Sequence, residues 1–256
     1  MDMLNAHCGV EHDSRGVVRL TICNAGSLNI LSSAVTNCVR EGFERLATDR
    51  DIRTVILAGQ SEKSMIGGAD IKEMAKLDQK TAEQFIGRLR DLCEAIRRFP
   101  TPVIARLPGW CLGAGLEVAA ACDFRIAAPD ARFGMPEVRV GIPSVIHAAL
   151  LPRLIGWGRA RWLVMTAENI DASTALAWGL VDVVAKKGGL DDAVENTVKA
   201  LLECGSEALR IQKDLLRQWE ELPLTESVNL SVGVFGQSFL TGEPQQLMQA
   251  FLNRKK

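Results

Sequence analysis

The sequence predicts an α/β layer fold, on three observations. Short β-rich apolar segments alternate with helical ones as far as Ala185. Two glycine-dense turns, Ile66–Met74 (IGGADIKEM) and Gly113-Ala114-Gly115, each deliver the chain into a helix. From about Leu190 onward the pattern is helical only.

In chain order, the opening MDMLNAHCGVEHDSRG is polar, is expected to be mobile and carries no visible secretory signal. Val17–Cys23 (VVRLTIC), between Gly16 and Asn24, reads as a strand. After a turn at Gly26-Ser27, Val35, Val39, Phe43 and Leu46 give a helix from Ser32 to Thr48 one apolar face. Arg53–Leu57 is a strand closed by Gly59. Ile71–Phe99 is helical, with Leu89, Leu92, Cys93 and Ile96 at helical spacing, and Pro100 and Pro102 end it. Pro102–Leu107 is the central strand, broken at Pro108-Gly109. The run LEVAAAC (116–122) is a helix, and Phe124–Ala127 is a strand before Pro129-Asp130.

Beyond Gly141, Ile142-Pro143-Ser144 leads into an apolar helix through Leu151, and Gly156-Trp157-Gly158 opens another. Asp171-Ala172-Ser173 reads as an N-cap before Thr174–Trp178, with Gly179 as the helix stop, and Val181–Ala185 is the last strand. Gly205, Pro223 and Gly242 break the helical tail, which can pack on its own body or on a neighbour.

A chain of 256 residues can form one large domain, or one domain with a helical appendage. Its 47% hydrophobic and 24% charged content is that of an ordinary globular protein. It contains no uncharged apolar run long enough to span a membrane, so no membrane association is expected. A net charge of −1 gives no basic surplus for nucleic acid. Arg88, Arg90, Arg97 and Arg98 are interleaved with Glu83, Asp91 and Glu94, the pattern of a solvated helix face. The seven cysteines include no C-x-x-C pair and read as reduced thiols in a reducing, cytoplasmic compartment.

Glu117 is the one charge in an otherwise apolar helix, and Glu137 is an isolated carboxylate after Pro136. The plain reading is an early-helix charge and a surface turn residue. Buried carboxylates beside glycine-dense turns also suit acid/base chemistry, because a glutamate is seldom buried without a partner or a task. Gly113-Ala114-Gly115 resembles the start of a dinucleotide fingerprint, but Val118 stands where the third small residue belongs, and Glu117 would face a pyrophosphate. Neither a phosphate-binding P-loop nor a G-x-S-x-G nucleophile elbow occurs. With three histidines and no usable ligand spacing, no metal is expected. Ser144 and His147, three apart on a helix, read as a packing pair. What remains is a site without cofactor, metal or nucleophile, in which free N–H groups at helix starts can hold an oxygen that becomes negative. That arrangement suits enolate chemistry next to a carbonyl.

Ile66–Glu73, Gly109–Arg125 (GWCLGAGLEVAAACDFR), Phe133–Gly141 (FGMPEVRVG) and Ala177–Val181 together resemble the enoyl-CoA hydratase/isomerase, or crotonase, family, in register from about Val17 to the C-terminus. The resemblance implies a crotonase-like spiral of ββα repeats (1–189) carrying an acyl-CoA site, followed by a C-terminal helical trimerisation region (190–256), as a homotrimer or homohexamer. It implies that the Ala69 and Ala114 N–H groups form an oxyanion hole, that Ala69, Asp70, Ile71 and Lys72 lie along the CoA, and that Phe251 and the terminal basic residues stand near it. Glu117 and Glu137 match the two glutamates that hold and activate water in the hydratases. Keeping both favours hydration of a 2-enoyl-CoA over isomerisation, over another crotonase reaction, and over a non-catalytic or RNA-binding role.

The chain departs from the hydratase pattern at Pro143-Ser144-Val145-Ile146-His147, where a proline followed by a glycine pair is common. Bulkier side chains there alter the acyl pocket. Trp110, Met135 and Trp162 are candidates for its lining and equally for plain core.

Overall fold

The computed structural model describes residues 1–254. Strands β1 (Asp2–Asn5), β2 (Cys8–His12) and β3 (Val17–Ile22) form an antiparallel meander. From β3 the large sheet continues in parallel through β4 (Thr54–Gly59), β6 (Val103–Leu107), β8 (Phe124–Ala127) and β11 (Val183–Val184). A smaller sheet stacks β5 (Ser64–Ile66), β7 (Trp110–Leu112) and β9 (Arg132–Gly134) in parallel, with β10 (Ile170–Asp171) antiparallel at its edge. Successive pairs β4/β5, β6/β7 and β8/β9 thus place their first strand in the large sheet and their second in the small one. The site lies where the small-sheet strands end.

Period-two alternation decides which face each strand residue serves. Val55, Leu57, Val103 and Ala105 point into the main core, with helices α1 (Ser33–Leu46), α3 (Gln79–Arg97) and α4 (Ala114–Ala121). Ile56, Ile104 and Ile126 point the other way, against Leu190, Val194, Val198 and Leu201 of α7 (Leu190–Leu202). Both faces of the parallel strands are covered, which is why these strands read as near-continuous apolar runs.

The structure corrects several expectations. The N-terminal residues form the β1–β2 hairpin, anchored by buried Cys8 and Val10; two apolar residues among polar ones are too few to register as alternation. The helix expected over 71–99 is two, α2 (Ile71–Met74) and α3. Asp78 and Thr81 form a reciprocal capping box that starts α3 afresh. The apolar helix expected before Leu151 is a tight 3-10 turn (Ile146–Leu150) that runs into α5 (Leu151–Thr166). Within α5 the helix breaks at Gly156 (φ 77°), where the sequence places a new helix start. Helix α6 (Ala172–Trp178) has its Asp171 cap, 2.8 Å from the Thr174 N–H, and its Gly179 stop.

In the tail, α8 (Ser206–Glu221) folds back onto the body. Buried Lys213 donates to the carbonyls of Ile96 and Thr101 and to Asp123 Oδ2 at 2.7 Å. Helices α9 (Leu224–Ser238) and α10 (Glu243–Arg254) follow and expose Val228, Val232, Phe235, Leu247, Phe251 and Leu252. None of the described helices is long and apolar enough to cross a membrane.

Candidate active site

Two chain turns at the ends of β5 and β7 build the site. After β5 the chain passes through Gly67-Gly68-Ala69 to Asp70, whose carboxylate caps α2 by accepting from the Lys72 and Glu73 N–H groups. Leu31 bridges this turn, donating to Gly68 O and accepting from Asp70 N–H. The Ala69 N–H lies between these two bonds and takes no part in them. After β7, Gly113 (φ 52°, ψ −119°) is the N-cap of α4, and Ala114, its first residue, has an N–H without an intrahelical acceptor.

The two turns are pressed together. A Cβ on Gly115 would collide with the Ile66 carbonyl oxygen, so only glycine lets α4 approach β5 this closely. A Cβ on Gly113 would collide with Glu137 Oε1, and its positive φ independently favours glycine there.

Glu117 is one turn into α4, in a helix buried on every side, and is itself only 4% exposed. Its Oε1 accepts the Ala148 N–H at 3.0 Å. Burial pushes its pKa up to about 8; the Ala148 bond opposes this, and the nearby Glu137 charge adds to it. Glu137 opens the 3-10 turn Glu137–Val140, and its half-buried carboxylate lies over Gly113. Burial raises its pKa as well, against its own backbone N–H and the Ser144 hydroxyl, which donates to Oε2 at 2.9 Å. The two glutamates, twenty positions apart in sequence, therefore share one electrostatic environment. Burial therefore favours the neutral form of Glu117.

The remaining expected residues divide. Asp70 is half-buried and engaged as a cap, whereas Ile71 and Lys72 are exposed beside it. Met135 is fully buried core, while Trp110 and Trp162 are part-exposed. Phe251 is exposed on α10; the basic residues Lys255 and Lys256 lie outside the described residues. Three of the four clustered arginines are in ion pairs, Arg90 with Asp91, Arg98 with Glu94, and part-buried Arg97 with Glu94 and Glu220, while Arg88 donates to the Ser33 hydroxyl.

The sequence reading missed the roles of Ser144 and His147. They do not form a pair: Ser144 serves Glu137, and His147 Nε2 lies 3.0 Å from Glu94 Oε1 on α3. Two polar residues inside an apolar run were the available signal.

A family profile described as enoyl-CoA hydratase/isomerase matches residues 12–256. The chain belongs to the enoyl-CoA hydratase/isomerase family. It is 30% identical over 254 residues to the mitochondrial methylglutaconyl-CoA hydratase of Mus musculus, covering 96% of this chain and 80% of that one. It is 32% identical over 241 residues to the short-chain-enoyl-CoA hydratase of Clostridium acetobutylicum, covering 94% and 92%. The crystal structure of an enoyl-CoA hydratase from Mycobacterium smegmatis superposes with a TM-score of 0.93 at 30% identity, covering 98% and 97%.

Proposed function

We propose that this chain catalyses the reversible hydration of a 2-enoyl-CoA thioester to a 3-hydroxyacyl-CoA. The observation that carries the reading is the convergence of two differently held carboxylates, Glu117 and Glu137, at the start of α4, where the Ala114 N–H is free. The thioester oxygen is taken up by the Ala69 and Ala114 N–H groups, which stabilise the enolate as charge moves onto it. Water held between the glutamates bonds through oxygen to C3 and gives a proton to the ionised carboxylate, while the protonated one delivers a proton to C2. Glu117 carries that proton in the resting site. No further cofactor enters these steps. The Ala69, Asp70, Ile71 and Lys72 stretch runs along the CoA, with exposed Lys72 available to its phosphates.

Residues 190–256 serve as the oligomerisation region of a homotrimer or homohexamer. Exposed Val232 and Phe235 help to form an apolar groove of about 560 Å³ between α8 and α9, more surface than a solvated tail leaves bare. Unpaired thiols fit a cytoplasmic setting, and the ion pairs of Arg90, Arg97 and Arg98 disfavour an RNA-binding role.

The test is a spectrophotometric screen of crotonyl-CoA, longer 2-enoyl-CoAs and branched or cyclic analogues, following loss of the conjugated thioester absorbance. Turnover of one of these supports hydration. Conversion of a 3-enoyl-CoA to its 2-isomer without hydration would make isomerisation the better reading.

A further inference from the structure

Every residue from Ser144 to Ala148 that carries a polar contact into the site serves one purpose. The Ser144 hydroxyl holds Glu137, the Ala148 N–H holds Glu117, and these contacts are only four residues apart. The segment between them is not at rest on its own. Ile146 has φ 41°, a left-handed conformation that a β-branched side chain resists, and no side chain caps the 3-10 turn it begins. The Ala148 N–H is also shared, lying 3.0 Å from the Val145 carbonyl, so a small relaxation of the turn would take it from Glu117 altogether.

His147 ties this turn to α3. Its ring is 7% exposed and packs inward, and Nε2 meets Glu94 Oε1 on α3 at 3.0 Å. Glu94 is held in turn by Arg97 at 2.9 Å and Arg98 at 3.1 Å, and Arg97 by Glu220 of α8 at 2.7 Å. Nδ1 is buried without a partner. That defines the tautomer: Nε2 carries the hydrogen and donates to Glu94, and Nδ1 keeps only a lone pair, since a buried N–H without an acceptor costs more. Burial, Arg97 and Arg90 oppose protonation of the ring against the bond and charge of Glu94, and the pKa of the ring falls below its ordinary value.

We propose that His147 is a positioning residue for the acid/base pair, anchoring the Ser144–Ala148 clamp to α3 through Glu94 so that one strained segment holds both Glu117 and Glu137. This rests on the hydratase reading only for its kinetic consequence; the clamp itself is a statement about the environment of Glu117.

The experiment therefore has two readouts. One is the titration of the Glu117 carboxyl in unliganded protein, taken from the infrared C=O band that Glu117→Gln removes. The other is kcat and KM on the fastest enoyl-CoA. His147→Asn keeps polarity and burial but withdraws the amide from Glu94. Glu94→Ala removes the same bond from the part-exposed side and reads it even if the asparagine variant does not fold. His147→Gln places an amide N–H where Nε2 stands.

Asn and Ala variants are each expected to raise the Glu117 pKa above about 8, because the Ala148 N–H that lowers it is lost. Each should lower kcat about tenfold or more, with KM within about twofold, as misplacement of a reacting group does. The double variant should be no worse than either single, and His147→Gln should stay near wild type. An unchanged Glu117 titration in Glu94→Ala, losses that multiply in the double variant, or a glutamine variant as impaired as the asparagine one would overturn the proposal. If no enoyl-CoA turns over even in the wild type, the hydratase reading fails, and the titration alone still decides the clamp.

Discussion

Replacing Glu117 by glutamine is expected to stabilise the unliganded protein, and to do so more as the pH rises. Folding moves this carboxyl from an ordinary value of 4.5 to about 8, because burial disfavours its charge. An acid raised on folding contributes stability that is complete below the unfolded pKa and is lost as pH rises through the folded one. The window is therefore about pH 4.5 to 8. Over pH 5 to 7 the unfolded chain releases this proton while the folded chain keeps it. At about 1.4 kcal/mol per pH unit, the wild type loses roughly 2–3 kcal/mol relative to the glutamine variant. For a domain of this size that is a divergence of about 5–10 °C in Tm. Melting curves of both proteins at fixed concentration, at pH 5, 6, 7 and 8, measure it. A Tm difference that stays constant with pH would mean that Glu117 is ionised in the folded state, and the proton assignment proposed for the site would be wrong.

Three further outcomes are expected. Ala114→Pro should fold, because the first helical position needs no N–H and Gly113 already has an extended, mirror-image conformation before it. It should lose about 10²- to 10³-fold in kcat, while Ala114→Gly loses far less; circular dichroism and initial rates check both. Gly115→Ala should be destabilised by about 1–3 kcal/mol or more in a denaturant titration, because its methyl group would meet the rigid Ile66 carbonyl. Val232→Asp with Phe235→Asp on α9 should shift light scattering from a trimer or hexamer towards a monomer; a wild type that is monomeric at micromolar concentration would remove the assembly proposal.

The parallel strands were legible in the sequence because both their faces are buried, and Glu117 stood out because it interrupts an all-apolar helix. The glycine turns could be seen as turns. That Gly115 is also needed for space could not, since the colliding atom, Ile66 O, comes from a distant part of the chain. The small sheet escaped notice because its strands have two or three residues, shorter than any alternation can show. Asp78 split a helix whose apolar spacing runs on regardless, since a local cap competes with periodicity on equal terms. The clamp was hidden for a different reason. Its contact to Glu117 is a backbone N–H, and Ser144 and His147 looked like partners of each other when each serves a separate glutamate.

The most direct test of the two-glutamate site is the initial rate of enoyl-CoA hydration by Glu117→Gln, Glu137→Gln and the double variant. Each single substitution is expected to lower kcat by about 10²-fold or more, and the double variant to be far less impaired than the product of the two, because both groups act on one water. Full hydratase activity in either single variant, or losses that simply multiply, would contradict it.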